Sequence, residues 1–292
     1  MISVILSVLN RQDDVFRVLK SLSEQTVTNF EVIVVDNGSS DNTINIVTKF
    51  SKDDRRFVIV DGSHLKKTPY AARNLGLSKS SGDVVAFIDG YPTKEWMQYG
   101  LMEMETGSDL VAGKIVLETR TDCAYELHDS LFYLDTKHTV EEYNRAPTGN
   151  LFVKREVFEK IGLFDESTRS GADMIFTSSA TKYGFKLSYS DMAKSHYFAR
   201  EKNGVLEKQK RISLSQPNIW KSENRIAIYT IKCLCKLVIP VNVLKLSKYI
   251  DSRSSTKIGI KTKLKLIYIE WKLRYIMCIN NLVGLKNMVM PK

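Results

Sequence analysis

The sequence predicts an α/β fold with a mostly parallel central sheet, helices on both faces and a C-terminal helical extension. Three observations carry that expectation. Two hydrophobic runs, ending in Val34-Val35-Asp36-Asn37-Gly38 and Phe87-Ile88-Asp89-Gly90-Tyr91, stop abruptly in acidic, turn-prone clusters. Strands do this at the carboxyl edge of an open sheet, where such folds bind ligands. Apolar runs of strand length alternate with segments of helical period. The charge is also divided: residues 201–292 hold 19 Lys and Arg against five Asp and Glu, net +14, whereas residues 1–200 are net −4.

Taken in order, residues 3–8 form the first strand. Val15, Val18, Leu19 and Leu22 fall at i, i+3, i+4 and i+7, one face of a helix. Residues 30–35 are the second strand, after which Ser40 or Asp41 is placed to cap a helix carrying Ile44, Val47 and Phe50. Strands over 57–60 and 84–88 follow, with a short helix over 70–78 between them. Residues 96–105 read as a helix, and 110–117 and 150–154 as strands. Val157, Phe158 and Ile161 make a helical face that Gly162 closes as a C-cap. Residues 123–145 are polar and aromatic without a period, and are read as lining an acceptor cleft.

With 43% hydrophobic and 10% aromatic residues the chain can bury a core, which excludes disorder throughout. The four Cys, at 123, 233, 235 and 278, show no CxxC pair and no disulfide spacing, as suits a reducing compartment. The apolar start has no basic region before it and no small-residue cleavage site, so it reads as a strand and not as a signal peptide. No run of about 18 uncharged apolar residues marks a spanning helix. These features lead to the expectation of a cytoplasmic protein.

The character changes near residue 204, dividing the chain into a domain over 1–204 and a basic extension over 205–292. Ile226, Tyr229, Cys233 and Leu237 are apolar at helical spacing, with Arg225, Lys232 and Lys236 on another face and Pro240 ending the helix. Ile260, Leu264, Ile267 and Trp271 repeat the pattern beside Lys261, Lys265 and Lys272. Two readings are open: the stripes pack on the main domain with their cations in water, or the helices lie on an anionic membrane surface at the cytoplasmic face. The basic and aromatic residues match no nucleic-acid motif, so no nucleic-acid partner is expected. The stripes would equally serve a dimer.

Several blocks recur in a fixed order: 3–10 (SVILSVLN), 30–39 (FEVIVVDNGS), 71–76 (AARNLG), 82–89 (GDVVAFID), 149–155 (GNLFVKR), 162–166 (GLFDE) and 171–173 (GAD). Together, over residues 3 to about 200, they resemble an inverting family 2 glycosyltransferase with the GT-A fold, a Rossmann-like architecture. The resemblance implies a donor nucleotide bound by Ser7, Leu9, Asp36, Asn37, Arg73, Asp89 and Arg200. Asp36 would accept a hydrogen bond from a nucleobase N–H, typically of uracil, as an acceptor-only carboxylate can. The Arg73 guanidinium would meet phosphate or base, and Arg200 the diphosphate. Asp173 would be the base that takes the acceptor hydroxyl proton. Asp89 and His196 would hold Mn²⁺ or Mg²⁺, hard cations that demand oxygen-rich sites. Tyr91 and Asn150 would face the acceptor pocket.

Two residues leave the family pattern. Tyr91 stands where the second Asp of the Asp-x-Asp motif binds the metal, and a neutral phenol is a poor ligand for it. Three outcomes are open there: a metal held by Asp89 and other groups, metal-independent transfer, or a silent enzyme. Ser179 stands where relatives carry an Arg. The expected activity is inverting transfer of a hexose-like sugar from a nucleotide diphosphate sugar, UDP-linked as a family-level lean. The acceptor would be a saccharide or a lipid-linked molecule, in cell-surface polysaccharide or glycoconjugate synthesis. The alternative is a catalytically silent GT-A module that binds nucleotide sugar or a partner enzyme. A third reading, a nucleotidyltransferase, is disfavoured by residues 9–12, which contain no Gly for a phosphate loop.

Overall fold

The computed structural model describes residues 1–65, 68–133, 135–254 and 256–289. Its strands are β1 (Ile2–Val8), β2 (Phe30–Asp36), β3 (Phe57–Asp61), β4 (Val84–Ile88), β5 (Tyr91–Pro92), β6 (Leu110–Glu118), β7 (Asn150–Lys154) and β8 (Leu187–Phe198). Its helices are α1 (Val15–Ser23), α2 (Thr43–Asp53), α3 (Pro69–Lys79), α4 (Trp96–Glu105), α5 (Ala124–Phe132) and α6 (Thr136–Tyr143). They continue with α7 (Arg155–Ile161), α8 (Ala172–Tyr183), α9 (Lys202–Ser222), α10 (Ile226–Val238), α11 (Val243–Arg253) and α12 (Ile260–Val289). The chain groups into two compact units, Met1–Val116 with Leu134–Tyr197, and Leu117–Tyr133 with Phe198–Lys292.

The first unit carries the sheet, in the order β3-β2-β1-β4-β7-β6-β8-β5. The β3-β2-β1-β4 half is parallel, while β7 runs antiparallel to β4 and β6, and β5 antiparallel to β8. The result is the mixed, Rossmann-like α/β sheet expected from the alternating pattern. Its strands read as continuous apolar runs because helices cover both faces. On one face Ile5, Phe87, Leu151 and Val153 join Tyr70 and Leu77 of α3, Phe158 of α7 and Phe176 of α8. On the other, Phe152 packs its ring 4.6 Å from Trp96 of α4. Burying each of these side chains contributes about 1.5–3 kcal/mol. Gly76 lets α3 lie close on the sheet, since a Cβ there would stand 2.6 Å from Ile5 Cγ2.

The second unit joins α5 to α9, α10, α11 and α12. Leu131 of α5 packs with Ile250, Leu266 and Ile267, and Val205 with Ile269 and Leu273. The unit therefore begins at Phe198 and recruits residues 117–133, where the sequence suggested a single cut after 204. The α10 stripe of Ile226, Tyr229, Cys233 and Leu237 turns inward on Trp220 and Cys278, within the second unit itself.

Residues 123–145, which show no period, form α5 and α6. The pattern is masked because polar groups take core positions: Glu126, His128 and Asp129 of α5 are all buried. Glu126 Oε2 accepts from the N–H groups of Arg120 and Thr121, and His128 Nε2 pairs with Glu270 at 3.0 Å, while Glu126 Oε1 and His128 Nδ1 have no partner among the described residues. The N-cap of α2 falls at Asn42, one or two residues beyond the expected cap, while Asp41 Oδ1 accepts from the Thr43 N–H.

Candidate active site

Parallel pairing of β1 with β2 carries Val8 and Asp36 to the same sheet edge, and the Asn37 N–H continues the ladder to Val8 O at 2.9 Å. Ser7 and Leu9 therefore sit beside Asp36 and Asn37. The Asp36 carboxylate is buried and accepts the Gly38 and Ser39 N–H groups at 3.0–3.2 Å. These bonds build the acidic turn and orient the carboxylate. Asn37 is buried too, with Nδ2 on Thr68 O at 3.4 Å and Oδ1 without a partner among the described residues.

Two guanidinium groups gather round Asp89 at the end of β4. Arg73 Nη2 donates to its carboxylate at 2.8 and 3.1 Å, and Arg11 Nη1 to its carbonyl at 2.5 Å. Burial alone would lower the Arg73 pKa, but the charges of Asp89 and its neighbours outweigh burial and raise it. Arg11 behaves likewise, with Asp14 at 2.5 Å supplying most of the compensation. Arg73 is thus a buried ion pair, and its partner Asp89 keeps about a third of its side chain exposed, 37%.

Asp173 lies in the first turn of α8, after Gly171 at φ +93°, a left-handed conformation that glycine adopts freely. Its Oδ1 accepts from Tyr70 Oη at 2.9 Å and the Met174 N–H at 3.0 Å. Its Oδ2 accepts from the Thr148 N–H at 3.0 Å and Thr148 Oγ1 at 3.2 Å. Tyr70 in turn accepts the Gly171 N–H at 2.9 Å. Burial, then the Asp173 charge, push the Tyr70 hydroxyl far above its ordinary pKa, so it stays a protonated donor. The Arg73 guanidinium lies 5.7 Å from the Tyr70 ring centroid. Asp89, Arg73, Tyr70 and Asp173 therefore form one continuous string of side chains. Sequence reading named three of the four. It missed Tyr70, and with it Thr148 and Arg11, whose residue types and positions carry no distinguishing signal.

Three expected roles meet different surroundings. Tyr91 is buried, with the Arg17 guanidinium 3.9 Å from its ring centroid and the His196 ring stacked on it at 5.6 Å. Pairing of β5 with β8 sets Tyr91 opposite His196. Gly90 permits the approach, because a Cβ there would lie 2.2 Å from His196 O. Asn150 is fully buried, accepting from Trp96 Nε1 and donating to Lys114 O and Ala193 O. Both residues expected to face the acceptor pocket are buried by these contacts. Arg200 belongs to the second unit, where it binds Asp129 Oδ2 through N–H and Nη1. Beside it Lys208 is held well below its ordinary pKa, first by burial and then by Arg200.

No three His, Cys, Asp or Glu side chains come together as metal ligands among the described residues. The His196 ring lies flat on Tyr91, which leaves Asp89 as the half-open oxygen donor. Such a set fits an ion that takes its other ligands from a donor's phosphates, as Mg²⁺ does, and not one caged by protein.

Comparison with known proteins places this site in a class. The model of glycosyl transferase family 2 matches residues 3–162. The glycosyltransferase AglE of Haloferax volcanii is 34% identical over 227 residues, covering 75% of this chain and 74% of that protein. The chain belongs to glycosyl transferase family 2, and its chemistry is glycosyl transfer. Other curated glycosyltransferases match over 88 to 133 residues, 12 to 35% of their own lengths. The mannosyltransferase PcManGT of Pyrobaculum calidifontis, solved with GDP-Man and Mn²⁺, shares the fold with TM-score 0.58 at 15% identity, over all of this chain and 75% of that one. S. aureus TarS 1-349 with UDP-GlcNAc does so with TM-score 0.56 at 18% identity, over 100% and 92%.

Proposed function

We propose that the chain transfers a sugar with inversion from a nucleoside diphosphate sugar, by preference a UDP-sugar, to a saccharide or lipid-linked acceptor. The product would be a cell-surface polysaccharide or glycoconjugate. The observation that carries this reading is the string Asp89–Arg73–Tyr70–Asp173, which links a donor-side carboxylate to a fixed candidate base. Asp173 would accept the acceptor hydroxyl proton as that oxygen attacks C1 of the sugar. The bond from C1 to the diphosphate breaks on the opposite face. All four lone-pair positions of Asp173 are in use, so one donor must yield. The Thr148 hydroxyl, at 3.2 Å the longest contact and free to rotate, is the one that can. Tyr70 and the Thr148 N–H would hold the carboxylate in place meanwhile. Arg73 and Arg11 would supply positive charge near the leaving diphosphate. A divalent ion arriving with the donor would be held by Asp89 and would neutralise the same charge.

Turnover and calorimetry on Asp173→Asn test the proposal. Transfer should fall by about 10²–10⁴-fold while nucleotide affinity is unchanged; substantial remaining turnover removes Asp173 from the base role. In the native chain, donor binding with no transfer to any acceptor would favour a silent module. Titrations with EDTA and then Mn²⁺ should weaken and restore donor binding. Indifference to the chelator would leave the diphosphate to the arginines.

A further inference from the structure

The second unit has an apolar surface that its own packing leaves uncovered. Helix α12 is apolar on two sides. Leu266, Ile269, Leu273 and Cys278 are buried inside the unit. A second stripe, running from Leu264 through Tyr268, Trp271, Tyr275 and Ile279 to Val283, is exposed along most of the helix. Its three aromatic rings follow one another at 6.0 and 6.4 Å. Lys261 and Lys265 are exposed along one edge of this stripe, and Lys272 is half-buried there. The one acidic residue of α12, Glu270, turns inward to His128. The elbow between α10 and α11 adds Val238 and Leu244, 84% and 77% exposed, and Arg274 of α12 ties that elbow through Ile239 O at 3.0 Å.

We propose that this face of the second unit docks on an anionic lipid bilayer, lying in the interface without crossing it. Among the described residues no single helix is long and apolar enough to cross, and the α10–α11 pair turns through 105°. An uncovered apolar face of this length is unusual for a monomer in water. Charge selects the occupant: a stripe edged by lysines, within residues 201–292 of net +14, complements phosphate headgroups. The ring ladder suits the boundary between headgroups and acyl chains, where one edge is wet and the other apolar. This inference goes beyond the catalytic proposal and stands without it, because it involves neither donor nor acceptor.

The chain supplies its own probe. Of its three tryptophans, Trp96 and Trp220 are buried and only Trp271 is exposed. The full chain is mixed with vesicles of phosphatidylcholine alone, or with equal parts of phosphatidylglycerol. Co-sedimentation and a blue shift of tryptophan emission should appear with the anionic vesicles and weaken as salt is added. Lys261→Ala with Lys265→Ala should lower partitioning about fivefold per lysine. Trp271→Phe should abolish the shift while binding persists. These positions are exposed, so the thermal melt of each variant should match the native chain. Binding without an emission shift, or equal binding to both vesicle types, overturns the proposal. So does a dimer in sedimentation velocity that Trp271→Ser dissociates, which would make a second copy the occupant.

Discussion

Tyr70 joins the donor side of the site to the candidate base through a single oxygen, which makes it the sharpest residue to test. In Tyr70→Phe, Asp173 Oδ1 loses one donor and the Gly171 N–H loses its acceptor. The expected result is a stability loss of about 1–2 kcal/mol, because a part-buried polar group is left unmet. Turnover should drop roughly tenfold with nucleotide affinity unchanged, as a less firmly held base implies. Thermal denaturation with steady-state kinetics checks both; full activity would show that Asp173 needs no such support. Asp89, Arg73 and Asp173 were legible in sequence because each sits in a block of fixed order. Tyr70 was hidden because an aromatic in a short helix reads as core, and its ring is indeed part of that core. Tyr91 was legible as a departure but not in its role. Only the tertiary structure reveals that its ring stacks on His196 and meets Arg17.

Among the elements, the entry to β6 shows how one carboxylate joins three strands. Asp109, just before β6, accepts from Lys154 Nζ of β7 at 2.8 Å and from the Lys186 N–H, ahead of β8, at 2.9 Å. Burial would raise its pKa, but the Lys154 hydrogen bond and the two lysine charges outweigh that and hold it below the usual carboxylate value. Because the folded value is depressed, the contribution is present above the unfolded pKa of about 4 and is lost as pH falls through the folded value. Asp109→Asn should therefore cost about 1–2 kcal/mol at neutral pH, and the gap to the native chain should narrow as the pH falls below the unfolded value of about 4 and through the lower folded one. Chemical denaturation at both pH values measures it; a gap that persists in acid would deny the ion pair its role. β1, β2 and β4 could be read directly as unbroken apolar runs, and α1 and α7 from one buried apolar stripe each. That of α5 could not, because Glu126, His128 and Asp129 occupy buried positions and make the helix look polar.

For the whole molecule, the four cysteines report how the second unit closes. Cys233 and Cys278 are buried against each other between α10 and α12, and burial, then Cys233, push the Cys278 thiol up to about 11. A thiol that is protonated and enclosed reacts slowly. With a disulfide reagent at mildly alkaline pH, Cys123 and Cys235 should react rapidly and the other two only on denaturation. Four fast thiols would mean that α10 does not pack on α12 as described. The sequence by itself determined the class of fold, the family and the strand ends that carry Asp36 and Asp89, since periodicity and ordered blocks are local properties of the chain. It also determined that the extension is basic and apolar. Only the tertiary structure decided which apolar stripe of that extension is core and which is surface. A helix can be apolar on two sides, and hydropathy cannot say which side meets a neighbour. The tertiary structure likewise brought Tyr70 to Asp173 and turned Tyr91 and Asn150 inward. Contacts between residues about a hundred positions apart are made by packing, and packing leaves no trace in local order.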